Sequence, residues 1–595
     1  MKKWNLRGKI WETATILVCA AALLFGVFQK EGYHMDELLS FELSNARYNP
    51  WIVPTQPKGR LAKFMENEID GESISETMRN LWNTAEDVLN NRGNSRLLSY
   101  QVDVYEEPVW ITGETFDEYI TVGEKDAFQY LSVYFNVKDD NHPPLHFMAL
   151  HTISSLFRGK IAPLMGCVLN LVAAVGVMVL LMKLGRMFGQ SMGREKEGRL
   201  WGILAALFYG LSTGAMATTL LIRMYGMLTF FCMAFFYLCF RKWQNREFEK
   251  KNFLLIAVTA MGFWTQYFFL FYCILLVFVM TAVLLREKRR KECFCLIRSM
   301  VIAGAVGVLV FPFSIGDVLS SGRGTEALNN LAQGFSGFGQ RIAAFWGILT
   351  DRTFGGVWWV ILAMGLMCLG RAFYSRYVKT KRAASGNVGK AYDEEKTAAL
   401  LLFVIPAAGY FLLAARMSPY LVDRYIMPLF PFAVFGGVLI VLKWLEDMGQ
   451  VWKEKGRNKW KLFVWGALLL VQIAGLVSYD GTYLYKGYAK QEKFAAEHAS
   501  LPCICVYEGV GYYENLPEFT HYEKTLLVKT AELSGRKDKE SIMNLPEAAV
   551  LVKPGADWEQ VRAIMEQDYG FTLKETVLSG EGAHGDILSV FEKAR

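Results

Sequence analysis

Residues 161–182 read IAPLMGCVLNLVAAVGVMVLLM, and residues 183–199 continue KLGRMFGQSMGREKEGR. The first stretch carries no charge and matches the roughly 20 apolar residues that a helix needs to cross a bilayer. The second is a short basic loop, and such loops gather on the cytoplasmic side. This alternation recurs along the chain and decides the fold class. The sequence predicts a polytopic α-helical membrane protein with about 11 transmembrane helices, at 11–29, 161–182, 200–221, 225–240, 252–267, 268–285, 298–315, 357–371, 398–415, 425–442 and 461–479. The stretch 341–356 is a further candidate. Composition agrees, with 53% hydrophobic and 20% charged residues in a chain of 595. A soluble domain would place its apolar residues at periods of 3.6 or 2. A single soluble domain, a coiled coil and a disordered chain are thereby excluded. The net charge of +7 lies in short loops, which excludes a nucleic-acid binder. Ten cysteines give neither a disulfide framework nor a zinc pattern. Cys503 and Cys505 would share one strand face, where a bridge is strained, so they read as two thiols.

The start, MKKWNLRGK followed by apolar residues from Thr13 to Phe28, has the charged head of a secretory signal. Gln29 to Tyr33 offer no small-x-small cleavage site, so 1–29 reads as an uncleaved first transmembrane helix. Six basic stretches hold 33 of the 64 Lys and Arg residues: 2–9, 183–199, 241–251, 286–298, 371–396 and 443–461. All six fall on one side only if the short apolar segment 143–157, which opens with two prolines, lies at the membrane surface. That places the N-terminus in the cytoplasm. The expected organisation is an outer loop with a juxtamembrane helix (30–158), a transmembrane bundle (159–479) and an outer α/β domain (480–595). In the last, Cys503 to Tyr507, Thr525 to Lys529 and Ala548 to Lys553 read as strands. Trp558 to Asp568 reads as an amphipathic helix. In the outer loop, Glu72 to Asn90 has helical spacing and Tyr100 to Thr112 alternates like a strand pair. The stretch 379–396 reads as a cytoplasmic linker.

Chemistry-bearing residues cluster at the expected outer edge of the membrane. His34-Met35-Asp36-Glu37 follows the first helix, and the interface penalises charge without a purpose. The pair reads either as a catalytic base or as a solvated helix end. Asp139-Asp140-Asn141-His142-Pro143-Pro144-Leu145-His146 closes the loop; proline fits a helix's first turn, so the plain reading is a helix start. His142, His146 and His151 have no Cys or Glu at metal-ligand spacing. Arg223 in Leu221-Ile222-Arg223-Met224-Tyr225 and Arg424 in Asp423-Arg424-Tyr425-Ile426-Met427-Pro428 are costly there unless they meet an anion or snorkel. Arg323 is a weaker third. Carboxylates at such a site deprotonate a hydroxyl acceptor, and arginines hold the phosphate of a lipid-linked donor.

In this order, the four motifs resemble those of the GT-C superfamily of membrane glycosyltransferases. The nearest is the family-39 type, which includes protein O-mannosyltransferases and the aminoarabinose transferase acting on lipid A. The matching residues are Asp36 and Glu37; Asp140, His142, Pro143, Pro144 and Leu145; Arg223, Met224 and Tyr225; and Arg424, Tyr425 and Pro428, and the resemblance covers about residues 5–445. It implies transfer of a sugar from a polyprenyl-phosphate carrier to a lipid, glycan or protein acceptor on the outer face, with inversion. It implies a catalytic base at Asp36 with Glu37 beside it. It places Asp140 and His142 along the substrate cavity, and Arg223 and Arg424, with Tyr225 and Tyr425, at the donor. Some relatives hold a divalent metal ion and others need none. The chain departs from the pattern in a longer outer loop, in Thr265-Gln266-Tyr267 where Thr-His-Tyr is common, and in His146 where tyrosine is common. A transporter or flippase of lipid-linked substrates should show paired repeats and mid-membrane charges, and neither is seen. A surface-glycan polymerase or ligase shares the architecture but takes an oligosaccharide on a diphosphate. A membrane receptor would not need the four edge motifs.

Overall fold

The computed structural model describes residues 2–319, 322–332, 337–380, 388–451, 459–580 and 584–594. The chain forms two compact units. The helical unit comprises Met1–Gln29, Asp140–His146 and Gly166–Thr482; the mixed unit comprises Lys30–Asp139, Phe147–Met165 and Tyr483–Arg595. The outer loop and the C-terminal region, separate in the sequence reading, thus belong to one unit.

Among the described residues, seven helices of the chain are long and apolar enough to cross a membrane: Gly8–Phe28, Pro163–Ser191, Phe269–Arg286, Arg290–Val310, Glu394–Met417, Met427–Gln450 and Lys459–Val477. Two bent pairs raise the number to nine if each is one span. The expected span 200–221 is one of them: Glu195–Gly210 and Thr213–Leu220 meet at 58°. Ser212 makes the break tolerable, donating to the Tyr209 carbonyl (2.7 Å) and accepting from the Ala215 N–H (3.0 Å). Backbone freed inside a bilayer must find such partners. The other pair, Phe338–Phe354 and Trp358–Tyr374, turns by 93°. Gly355 and Gly356 make that corner, with φ of 56° and 77°, which side chains with a Cβ rarely adopt. The expected spans near 225–240 and 252–267 are the helices Tyr225–Asn245 and Phe253–Thr265, of 21 and 13 residues. The segment 143–157 is a helix over Leu145–Leu156. Part of the expected linker 379–396, residues 381–387, lies outside the described residues, as does the Arg323 side chain.

The mixed unit is built on a six-stranded sheet of order β1-β3-β2-β4-β6-β5. These are Trp110–Thr112 (β1), Cys503–Val506 (β2), Lys524–Val528 (β3), Glu547–Val552 (β4), Phe571–Ser579 (β5) and Ile587–Lys593 (β6). β2 lies parallel to both β3 and β4 and is buried throughout, as a continuous apolar strand covered on both faces should be. Cys503 and Cys505 are free thiols within it. The helix Trp558–Gln567 is capped by Asp557 and packs Val561 and Met565 into the core under the sheet. The expected strand pair at Tyr100 to Thr112 does not form. Only Trp110–Thr112 is extended, and it pairs antiparallel with β3, Trp110 opposite Leu526. Alternation signals a half-buried strand but does not identify its partner, here some 410 residues away in sequence. The expected helix in the loop is Ile74–Asn91.

Candidate active site

In the helical unit, three of the four motifs come together in two contacts. Asp140 is buried, and its Oδ2 lies 2.9 Å from Nδ1 of His142. Nη2 of Arg223 lies 3.5 Å from Nδ1 and 3.4 Å from Nε2 of the same ring. A guanidinium nitrogen equidistant from both ring nitrogens sits over the ring rather than in its plane, so the contact is a cation resting on an imidazole face. Burial alone would push the Asp140 carboxyl up, but the adjacent His142 and Arg223 outweigh it and hold the group below the usual carboxylate range. His146, one turn further on and fully buried, is pushed down to about 3 by burial, with Arg223 and His142 adding to the effect. It is therefore neutral at physiological pH.

Arg223 is 3% exposed and sits just past the end of the bent helix Thr213–Leu220. Asn170 satisfies the unwound backbone there, donating to the carbonyls of Leu221 (2.5 Å) and Arg223 (3.2 Å). Two residues on, Tyr225 meets Tyr425 edge-to-face, with ring centroids 6.4 Å apart. Tyr425 also stacks on Phe268 at 5.4 Å, and its carbonyl accepts from the Tyr410 hydroxyl at 3.1 Å. Arg424 is half-buried, with its guanidinium carbon 5.6 Å from the Tyr425 ring centre. The preceding Asp423 lies 3.5 Å from Arg352, which also holds Asp480 at 3.1 Å and Thr482 at 3.1 Å. The corner at 355–356 thus delivers a buried arginine that fixes the start of the Arg424 segment.

The sequence reading missed Asp317. It is buried in the short helix Ser314–Leu319 and accepts a 2.6 Å hydrogen bond from the Tyr267 hydroxyl. Tyr267 belongs to the triplet that departs from the family pattern. Here the tyrosine of that triplet holds a second buried carboxylate. No spacing signal in the sequence joins residues 267 and 317.

The fourth motif belongs to the mixed unit, where its two carboxylates have different surroundings. His34 caps the helix Met35–Asn45: its Nδ1 accepts from the Asp36 N–H, and Glu37 Oε2 accepts from the His34 N–H at 2.8 Å. Glu37 is fully buried and ion-paired to Lys30, whose Nζ lies 3.1 and 2.9 Å from its two oxygens. Lys30 also donates to the Tyr483 carbonyl (2.6 Å) and lies 4.7 Å above the Tyr485 ring. Tyr485 also stacks with His584 at 5.4 Å, and His584 Nδ1 meets Glu514 at 3.0 Å. The segment 30–34 therefore lies hard against residues 483–488. A Cβ on Gly32 would fall 2.6 Å from the Cβ of Tyr488, so only glycine fits. Asp36 is different: its side chain is 20% exposed, with Oδ2 3.7 Å from His34. Of the adjacent pair, the Glu37 side chain is fully buried against Lys30 and the Asp36 side chain is partly exposed.

Among the described residues no group of three or more His, Cys, Asp or Glu side chains is placed to hold a metal ion. Asp140 and His142 are bonded to each other rather than set around a common centre.

No family model matches the chain, and no curated protein matches it. Among solved structures it is similar to ArnT from Cupriavidus metallidurans bound to undecaprenyl phosphate, with TM-score 0.41 and 13% identity over 76% of this chain and 88% of that one. It is similar to the same protein in the apo state, with TM-score 0.41 and 12% identity over 76% of this chain and 87% of that one.

Proposed function

We propose that this chain is an integral-membrane glycosyltransferase that moves a sugar from a polyprenyl-phosphate carrier to an acceptor on the outer face of the membrane, with inversion. The observation that carries the reading is the buried Arg223 against the Asp140–His142 pair, in a chain of membrane-length apolar helices. A buried guanidinium beside an oriented imidazole suits a phosphate, which accepts charge-assisted hydrogen bonds in fork geometry. The contact between Tyr225 and Tyr425 supports a role for Arg424 at the same donor.

In this reading the acceptor oxygen attacks the anomeric carbon as Asp36 takes its proton. The bond from that carbon to the phosphate oxygen breaks, and its electron pair stays on the polyprenyl phosphate. Arg223 and Arg424 stabilise the charge that builds there, which is where preorganised donors contribute most to rate. Glu37 does not move a proton: it anchors Lys30 and caps the helix that presents Asp36. The basic loops are cytoplasmic, and the motifs and the sheet-bearing unit are outside.

The test is a lipid profile. A host lacking the gene, with and without the wild-type chain restored, is extracted and its polyprenyl-phosphate sugars are measured by mass spectrometry. One sugar-carrier accumulates in the null and is cleared by the wild type. No change in any sugar-carrier, with the protein confirmed in the membrane, overturns the reading. Accumulation of a diphosphate-linked oligosaccharide instead would make the chain a polymerase or ligase.

A further inference from the structure

The mixed unit contains a second feature, unrelated to the acidic motif. On the helix Ile74–Asn91, Met78, Leu81, Trp82, Ala85, Val88 and Leu89 fall at i, i+3, i+4, i+7, i+10 and i+11, a single apolar face. Among the described residues it stays open: Trp82 is 73% exposed, Leu89 78% and Met78 61%. That face forms one wall of a groove of about 840 Å³. Phe64 and Ile69, of a small buried cluster, also line it, as do Leu98 and Leu131, 46% and 45% exposed. Among the described residues, the charged groups lining it are Arg60 and Lys138, both positive.

We propose that this groove binds the hydrocarbon chain of an anionic amphiphile, with Arg60 and Lys138 meeting its head group. Three observations point to that occupant. A contiguous apolar patch of this kind, left to water, marks an interaction site. The surface is concave, and its volume lies within the roughly 300–1,000 Å³ typical of ligand pockets, which suits a chain better than a flat membrane face does. Its lining has cations and no carboxylate, so it complements a negative head group and disfavours an acidic helix face less than it disfavours a basic one. A chain with seven apolar membrane-length helices lives among such amphiphiles. The inference does not depend on the proposed reaction.

The test uses the full-length protein in a non-ionic detergent and a lysophosphatidylglycerol with a photoreactive acyl chain. Cross-linked peptides are mapped by mass spectrometry. Label is expected on residues 78–98 and on the peptide containing Leu131, and a fifty-fold excess of unlabelled lipid should reduce it at least fivefold. Ala85→Trp fills the groove from an exposed position and should reduce it similarly, with the melting temperature as the folding control. Arg60→Gln with Lys138→Gln should lower labelling several-fold for this lipid and leave a lysophosphatidylcholine probe unchanged. Label confined to the membrane-length helices, or no label at all, overturns the proposal. Label on 78–98 that neither competitor nor Ala85→Trp reduces also overturns it, because it reports a helix resting on the detergent or bilayer surface. Equal labelling by both probes, unmoved by the double substitution, overturns the head-group assignment.

Discussion

Glu37 in the mixed unit and Asp140 in the helical unit are both buried carboxylates, and they are handled in opposite ways. Glu37 is matched by a fully buried lysine, a helix-cap N–H and an aromatic wall, which leaves it a structural fixture. Asp140 is matched by a histidine whose ring carries an arginine on its face, so its charge is passed on to groups that suit a ligand. Burial alone therefore does not separate the two acids; the identity and geometry of the counter-charge does. The neighbouring Asp36 keeps 20% of its side chain exposed, with Oδ2 3.7 Å from His34.

The comparison breaks most visibly at Lys30. Lys30→Met leaves Glu37 buried without its cation, and removing one partner of a buried pair costs about 3–5 kcal/mol. Thermal unfolding should show that loss, with amide exchange in residues 30–45 rising first. The double variant Lys30→Met/Glu37→Met should recover most of it.

A third buried acid sharpens the contrast. Glu518 is raised to about 7 by burial, and Asn515 and Tyr522 donate to it. Its folded value is above its ordinary one, so the stability it permits is full below pH 4.5 and falls as pH rises towards 7. The change is on the order of 3 kcal/mol. Glu518→Gln should flatten the pH dependence of unfolding across that window.

Next in size is Arg223→Lys. It keeps the charge and loses the fork, so a phosphate loses about 1.5–3 kcal/mol of charged hydrogen bonding. Polyprenyl-phosphate binding to the purified protein should weaken about tenfold or more, with folding unchanged. The smallest effect belongs to Asp480→Asn. Asp480 is 54% exposed, and its pairing with Arg352 should contribute less than about 1 kcal/mol, because Asp423 remains. Its readout is the melting temperature.

Much of this organisation was legible in the sequence. Uncharged blocks and basic loops forecast the membrane-length helices, because no other environment tolerates them. Pro143-Pro144 announced a helix start, and Arg223 and Arg424 stood out as charges in costly places. What could not be read was pairing at a distance. Nothing local says that Lys30 serves Glu37 through residues 483–485, that Tyr267 reaches Asp317, or that β1 completes a sheet otherwise made from the last hundred residues. Periodicity reports how one segment faces its surroundings, not which segment covers it. The adjacent acids at 36 and 37 look alike in the sequence for the same reason: their different surroundings depend on Lys30 and on the His34 cap.

The central claim is that Asp36, and not Glu37, carries the proton. The most direct measurement restores Asp36→Asn and Glu37→Gln separately to the null host and compares the polyprenyl-phosphate sugar profile with protein level in the membrane. Asp36→Asn should be present at the wild-type level and leave the sugar-carrier uncleared. Glu37→Gln should lower the amount of folded protein, with clearance per molecule largely kept. Full clearance by Asp36→Asn, or loss of clearance by a fully folded Glu37→Gln, would contradict the account.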